Sequence, residues 1–310
     1  MTGTTARAIP RSILYTPALS QERVVKAWSY DADVHLIDLE DSVPPAAKAA
    51  ARLVCRAALE KAPEPARIAV RVNELGTVEA VHDLLMLAGS PVRPGFVVMT
   101  MVKSAVEVTL LRDTLASAGA HPEVYVTVET VESVTGIDAI AAAADGLLLG
   151  SADLAATLGI EITWEGLLAA RQAMALAAAR HGAACIDTAN YRLSEPAVLA
   201  QEIERVRELG FHGKATVHPG ELDAINGALR PHPDGLRQAR RVAEAVRAAD
   251  GGIAVLDGSM VGPPFARLAR TTVALGDAWA DRFGGSATGR GGADDGHGSD
   301  GGSDGEGGRP

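Results

Sequence analysis

The stretch VYVTVETVESVTGIDAIAAAADGLLLGSADLAATL, residues 124–158, holds two short apolar runs, each leading to an acidic residue. The first run, 124–128, ends at Glu129. The second, 146–149, passes Gly150, Ser151 and Ala152 and reaches Asp153. Both are rich in Val and Leu, and an Ala-rich segment of helical character separates them. Short apolar runs on either side of a helix read as two parallel strands and their crossover. In a parallel α/β sheet, groups just past the C-terminal strand ends converge on one face. Two carboxylates delivered there by neighbouring strands make a hard-oxygen pocket suited to Mg²⁺ or Mn²⁺. Taken singly, either acid reads as a helix N-cap. Their matching positions on successive strands favour a metal pair.

Six more runs carry the strand pattern: 12–16 (SILYT), 34–39 (VHLIDL), 67–72 (RIAVRV), 95–102 (GFVVMTMV), 183–188 (AACIDT) and 214–217 (KATV). Helical segments separate them, at 20–28, 44–60, 82–88, 104–117, 166–181 and 195–209, and another follows at 235–249. Eight strands alternating with helices over about 280 residues is the pattern of a (β/α)8 TIM barrel. A doubly wound open sheet is the runner-up, but no GxGxxG turn follows the first strand and no GxxxxGK[ST] loop is present. Residues 1–10 read as a flexible leader and 11–283 as the barrel with a C-terminal helical extension. Within that extension, a Gly/Pro loop from 258 becomes helical near Phe265. Residues 284–310 are mostly Gly, Ser and Asp and read as a disordered tail.

Composition narrows the function. A net charge of −10 with scattered Arg residues argues against a nucleic-acid surface. No apolar run reaches membrane-spanning length, and no signal-peptide pattern opens the chain. Cys55 and Cys185 read as buried thiols in a reducing cytoplasm. Asp38, Glu40 and Asp41 crowd one strand end. That crowding is costly unless the acids sit in water, with Asp41 or Ser42 as a helix cap, or serve a site as metal second shell or positioner of a catalytic water. Arg71 ends another strand, where it is either a surface ion-pair partner or a fork for carboxylate, carbonyl or phosphate. His218, also at a strand end, reads as structural.

The segments RSILYTP (11–17), IDLEDSV (37–43), RVN (71–73), Glu129-Thr130, GSADL (150–154), LGFHGKATVHP (209–219) and DGSMV (257–261) occur in the order seen in the citrate lyase beta-subunit and hydroxy-oxo-acid aldolase (HpcH/HpaI aldolase) family. The resemblance covers about residues 11–274. It implies a pyruvate/phosphoenolpyruvate-type barrel, a homotrimer or homohexamer, and Mg²⁺ or Mn²⁺ held by Glu129 and Asp153. Glu132 is the competing ligand, and Arg71 the contact to substrate oxo or carboxylate oxygens. The Glu129-to-Asp153 interval is shorter than usual for the family. The implied chemistry is metal-dependent carbon–carbon cleavage or condensation, of oxo-acid-lyase type, through an enolate. Its substrate would be a β-hydroxyacyl thioester (an acyl-CoA) or a hydroxy-oxo acid, with a carboxylate or water moving the proton. Two departures stand out. Gly262 occupies the place of the family's acid/base Asp, which reaches a neighbouring subunit's site. Met101 and Lys103 replace a usual Lys and Glu. Asp38, Glu40 and Asp41 then become the candidate acid/base groups, and a thioesterase-like variant or a non-catalytic acyl-CoA-binding barrel are the alternatives. Arg11, Arg192 and Lys214 are the basic residues that a barrel mouth could offer to phosphates.

Overall fold

The computed structural model describes residues 6–193 and 195–284. Eight parallel strands close into a barrel in sequence order: β1 (Ser12–Pro17), β2 (Val34–Asp38), β3 (Ile68–Arg71), β4 (Phe96–Met99), β5 (Glu123–Val128), β6 (Gly146–Leu149), β7 (Ala184–Asp187) and β8 (Gly213–Thr216). β8 pairs with β1, Ser12 opposite Lys214, which closes the ring. The (β/α)8 expectation holds, and the open sheet is excluded.

Helices α1 (Gln21–Ala27), α2 (Lys48–Leu59), α3 (Val78–Gly89) and α4 (Ala105–Ser117) follow the first four strands. The interval after β5 holds two short helices, α5 (Val131–Thr135) and α6 (Ile137–Ala143), which meet at Gly136. α7 (Ser151–Leu158) and α8 (Trp164–His181) follow β6, α9 (Pro196–Glu208) follows β7, and α10 (Leu222–Leu229) follows β8. The extension comprises α11 (Pro233–Ala248), the antiparallel hairpin β9 (Ala254–Leu256) and β10 (Ser259–Val261), and α12 (Pro263–Phe283). That hairpin replaces the expected Gly/Pro loop. Asp257 and Gly258, both at positive φ, make its tight turn.

Side chains alternate across each strand. On β5, Val124, Val126 and Val128 point outward into the layer shared with the helices, while Tyr125 faces the barrel interior. β2 alternates likewise, Val34 and Leu36 inward and Ile37 and Leu39 outward. Inside, Phe96 meets the Tyr125 ring edge-on at 5.4 Å. Phe283 of α12 plugs the interior at the end opposite the C-terminal strand ends, with Trp279 and Leu275 packed beside it. The described part of the leader, residues 6–10, packs here too rather than standing loose. Ile9 is buried, and Arg7 donates to the Asp145 carbonyl and carboxylate. Of the expected tail only Gly284 is described; the rest lies outside the described residues. Cys55 and Cys185 are buried and unbridged. No described helix is long and apolar enough to cross a membrane.

Candidate active site

Continuing the alternation past the strand ends aims Asp38, Arg71 and Glu129 at one point, the open C-terminal mouth. There a cavity of about 590 Å³ is lined by Tyr15, Asp38, Asp41, Arg71, Glu129 and Asp153, among others. Gly150, Thr127, Thr188 and Tyr191 complete much of its wall.

Arg71 is the fixed cation of the mouth. Its Nε donates to Asp38 Oδ1 at 2.7 Å and its Nη2 to Asp38 Oδ2 at 2.6 Å, a bidentate fork. Glu40 Oε2 lies 3.0 Å from Nη1, and the Tyr15 ring centroid 5.2 Å from the guanidinium carbon. Burial pushes the Asp38 carboxyl up, but the bonds and charge of Arg71 outweigh it and hold Asp38 below the usual range. Asp38 Oδ1 also accepts the Glu40 N–H at 2.9 Å. Both oxygens are therefore engaged, by the Arg71 guanidinium and the Glu40 N–H.

Glu129 is 3% exposed. Burial pushes its carboxyl up to about 8; the Met101 N–H offsets part of this, and the charges of Asp153 and Glu40 add to it. Gly150 makes room for it, since a Cβ there would sit 2.6 Å from the Glu129 Cβ and 2.8 Å from Thr127 Cγ2. Asp153 comes from the first turn of α7, not from the strand end itself. Burial, with the Asp41 charge next, raises its carboxyl. Glu40 is likewise raised, to about 7, by burial and by neighbouring Asp41, against the pull of Arg71. Among the described residues neither Glu129 nor Asp153 has a protein cation within ion-pair distance.

The donor chemistry fits a divalent cation. Glu129 and Asp153 line one cavity, and each is raised by burial and by neighbouring acids more than the charge of Arg71 offsets. No group of three or more His, Cys, Asp or Glu side chains stands ready to hold a metal among the described residues. A two-carboxylate site suits Mg²⁺, which keeps several waters and takes its remaining ligands from substrate.

Glu132 is exposed on the first turn of α5, away from the cavity lining. His218 is exposed, and its Nδ1 accepts the Gly220 N–H at 3.1 Å, a capping role. Lys214 points out of the barrel and is 0% exposed, its Nζ 2.9 Å from Asp187 Oδ2, so it is closed to phosphates. Arg11 lies at the opposite end of the barrel, where its Nη1 donates to the His212 carbonyl at 2.9 Å. Arg192 sits on the exposed loop after β7. Gly262 caps α12, and the extension contributes no side chain to the cavity lining. Tyr15, Thr127, Thr188 and Tyr191 went unmarked in the sequence, although strand alternation carries the first three inward.

The chain matches the model of the HpcH/HpaI aldolase/citrate lyase family over residues 11–219. It is 31% identical over 278 residues to a (3S)-malyl-CoA thioesterase of Cereibacter sphaeroides, covering 87% of this chain and 95% of that one. It is 33% identical over 274 residues to the citrate lyase subunit beta-like protein of Mycobacterium tuberculosis, covering 86% and 95%. The solved structure of M. tuberculosis CitE in complex with magnesium, acetoacetate and coenzyme A superposes with a TM-score of 0.71 at 31% identity, over 87% of this chain and 99% of that one. With the closed barrel and the carboxylate-lined mouth, these likenesses show that the chain belongs to the HpcH/HpaI aldolase/citrate lyase family.

Proposed function

We propose that this protein is a Mg²⁺- or Mn²⁺-dependent carbon–carbon lyase or aldolase acting on a β-hydroxyacyl thioester or a hydroxy-oxo acid. One observation carries the reading: among the described residues Glu129 and Asp153 line one cavity with neither in an ion pair, beside an Arg71 already held by Asp38. Glu129 and Asp153 are the residues that would hold the metal, and it would supply Lewis-acid polarisation of a substrate oxo oxygen. Arg71, its plane set by Asp38, offers positive charge to the substrate oxo or carboxylate oxygens where negative charge develops. Glu40, raised to about 7, is poised to take or return a proton near neutral pH, with Asp41 beside it at the cavity wall.

The likeness to a (3S)-malyl-CoA thioesterase, with Gly262 at the position of the usual lyase acid/base, supports a second reading. In it the same Arg71 binds the substrate while Glu40 or Asp41 directs water at the thioester. The protein works in the cytoplasm as a homotrimer or homohexamer, which light scattering on the purified chain checks. Incubation with a panel of CoA thioesters and hydroxy-oxo acids, with and without Mg²⁺, tests both readings. Metal-dependent release of acetyl-CoA or a 2-oxo acid supports the lyase. Free CoA with no carbon–carbon cleavage supports the thioesterase. No turnover of any member leaves a binding barrel.

A further inference from the structure

We propose that Met101 is a positioning residue for Glu129, acting through its backbone; the inference rests on the assignment of Glu129 to the metal made above. Glu129 Oε1 accepts a 2.7 Å hydrogen bond from the Met101 N–H. Met101 holds φ at +52°, the left-handed region that L side chains avoid. Only two other described non-glycine residues share that region, Asp250 and Asp257. Both are exposed turn residues of a type that tolerates it. Methionine has no short polar group to offset the conformation locally, so its surroundings must impose it.

Those surroundings are a bracket. On one side of Met101, Thr100 Oγ1 donates to the Val72 carbonyl, just past β3, at 3.2 Å. On the other, the Val102 carbonyl accepts from Thr130 Oγ1 at 2.8 Å, and Thr130 immediately follows Glu129 while capping α5. The loop after β4 is thus tied both to the strand before it and to the residue beside the ligand. The tie turns one N–H into the mouth.

The consequence concerns the direction of the Glu129 carboxylate. Arg71 lines the same cavity, and a Glu129 carboxylate turned toward its charge would be lost as a metal ligand. The Met101 N–H holds Oε1, and the bare Cα of Gly150 stands against the other side of the side chain, in space that a Cβ would fill. Glu129 is thereby kept out of an ion pair with Arg71 and left for a cation. A backbone donor suits this task, because it adds no charge of its own to the site.

The test compares Met101→Gly, Met101→Asn and Met101→Ile in the full-length protein, reading Mg²⁺ affinity by calorimetry without substrate. Glycine and asparagine accept the left-handed region. They are expected to hold the affinity within about twofold, whereas the β-branched Ile variant loses on the order of tenfold or more. Equal loss in the Gly and Ile variants overturns the proposal, because the side chain would then carry the effect. An undiminished affinity in a folded Ile variant overturns it as well. Amide exchange in the metal-free wild type decides independently of any variant's folding. The Met101 amide is expected to be protected, and Glu129→Ala to release it; wild-type exchange at the rate of an open loop sinks the clamp. Wild-type protein that binds no Mg²⁺ overturns the metal reading instead, and the exchange data then judge the clamp alone.

Discussion

Two groups of buried charges flank the barrel wall, one outside it and one at its mouth, and they are built on opposite plans. The first lies outside the barrel wall, between β7, β8 and the helices α8 and α9. Asp187 accepts from Arg171 Nε at 2.9 Å and from Lys214 Nζ at 2.9 Å, and Glu202 stands 2.9 Å from the same Nζ. Two cations meet two anions. Burial raises the Asp187 carboxyl, yet Lys214 and Arg171 outweigh it and hold it below the usual range. Trp164 stacks under Arg171 at 4.5 Å and closes the group. The second group is the mouth, where Asp38, Asp41, Glu129 and Asp153 line one cavity with Arg71 and Arg23, and Glu40 stands 3.0 Å from Arg71 Nη1. Here Glu40, Glu129 and Asp153 are raised. Balanced charge serves the fold; surplus negative charge facing a cavity is the feature on which the proposed cation site rests.

Substitutions should therefore act on different quantities in the two groups. Glu129→Gln at the mouth should lower turnover on the order of a thousandfold, given the several kcal/mol that metal ions supply in such sites. The same change should leave the metal-free melting temperature equal or higher at pH 9, because it removes a carboxyl whose ionised form the fold disfavours. A fall in melting temperature at that pH would equate the two groups and break the contrast. Asp187→Ala should do the reverse. It strands Arg171 and Lys214, and denaturant unfolding should show a loss of about 3–5 kcal/mol, as for other broken buried pairs.

Arg71→Lys keeps the charge but loses the fork to Asp38, and kcat/KM should drop on the order of a hundredfold. Wild-type kinetics in that variant would show that Asp38 does not orient the cation. The pH dependence follows from Glu129. Its folded carboxyl, raised to about 8, holds its proton between the ordinary carboxylate range and that value, so metal binding must displace it. Mg²⁺ affinity measured by titration should rise up to about tenfold per pH unit below about 8 and level off above it. By the same sign, metal-free stability should decline as pH climbs through this interval, because the unfolded chain ionises Glu129 more readily. The smallest effect belongs to the surface. Arg56→Ala, which breaks a 3.4 Å pair with Glu60 on α2, should cost at most about 0.5 kcal/mol. A larger loss there would mean that surface pairs matter as the buried network does.

Much of the mouth is legible in the sequence because a strand has period two and its end is marked by composition. VHLID places Asp38 on the side of Val34 and Leu36; IAVR places Arg71 on the side of Ala69; EVYVTV followed by Glu129 continues Tyr125 and Thr127. The same count sends Asp187 and Lys214 outward, so Lys214 could have been removed from the phosphate-binding candidates by alternation alone. Tyr15 and Thr188 could have been added in the same way. What alternation cannot reach is pairing. The short separation of Asp38 and Glu40 along the chain does not reveal that the first is locked to Arg71, 33 residues away, while the second keeps a raised carboxyl. The hairpin at 254–261 is likewise illegible in the sequence, since three-residue strands give too short a pattern to read.

By itself, then, the sequence determined the alternation of strands and helices, the inward set at each strand end, and the family to which those motifs belong. These are local properties, fixed by side-chain periodicity and by turn residues such as Asp257 and Gly258. The tertiary structure decided which of the clustered acids is neutralised and which is left exposed to its neighbours' charge. It also decided that a backbone N–H from Met101, whose side chain carries no polar signal, reaches Glu129. Such outcomes depend on distances between residues far apart in the chain, set only when the barrel closes, and on a dielectric that falls only when the mouth is buried.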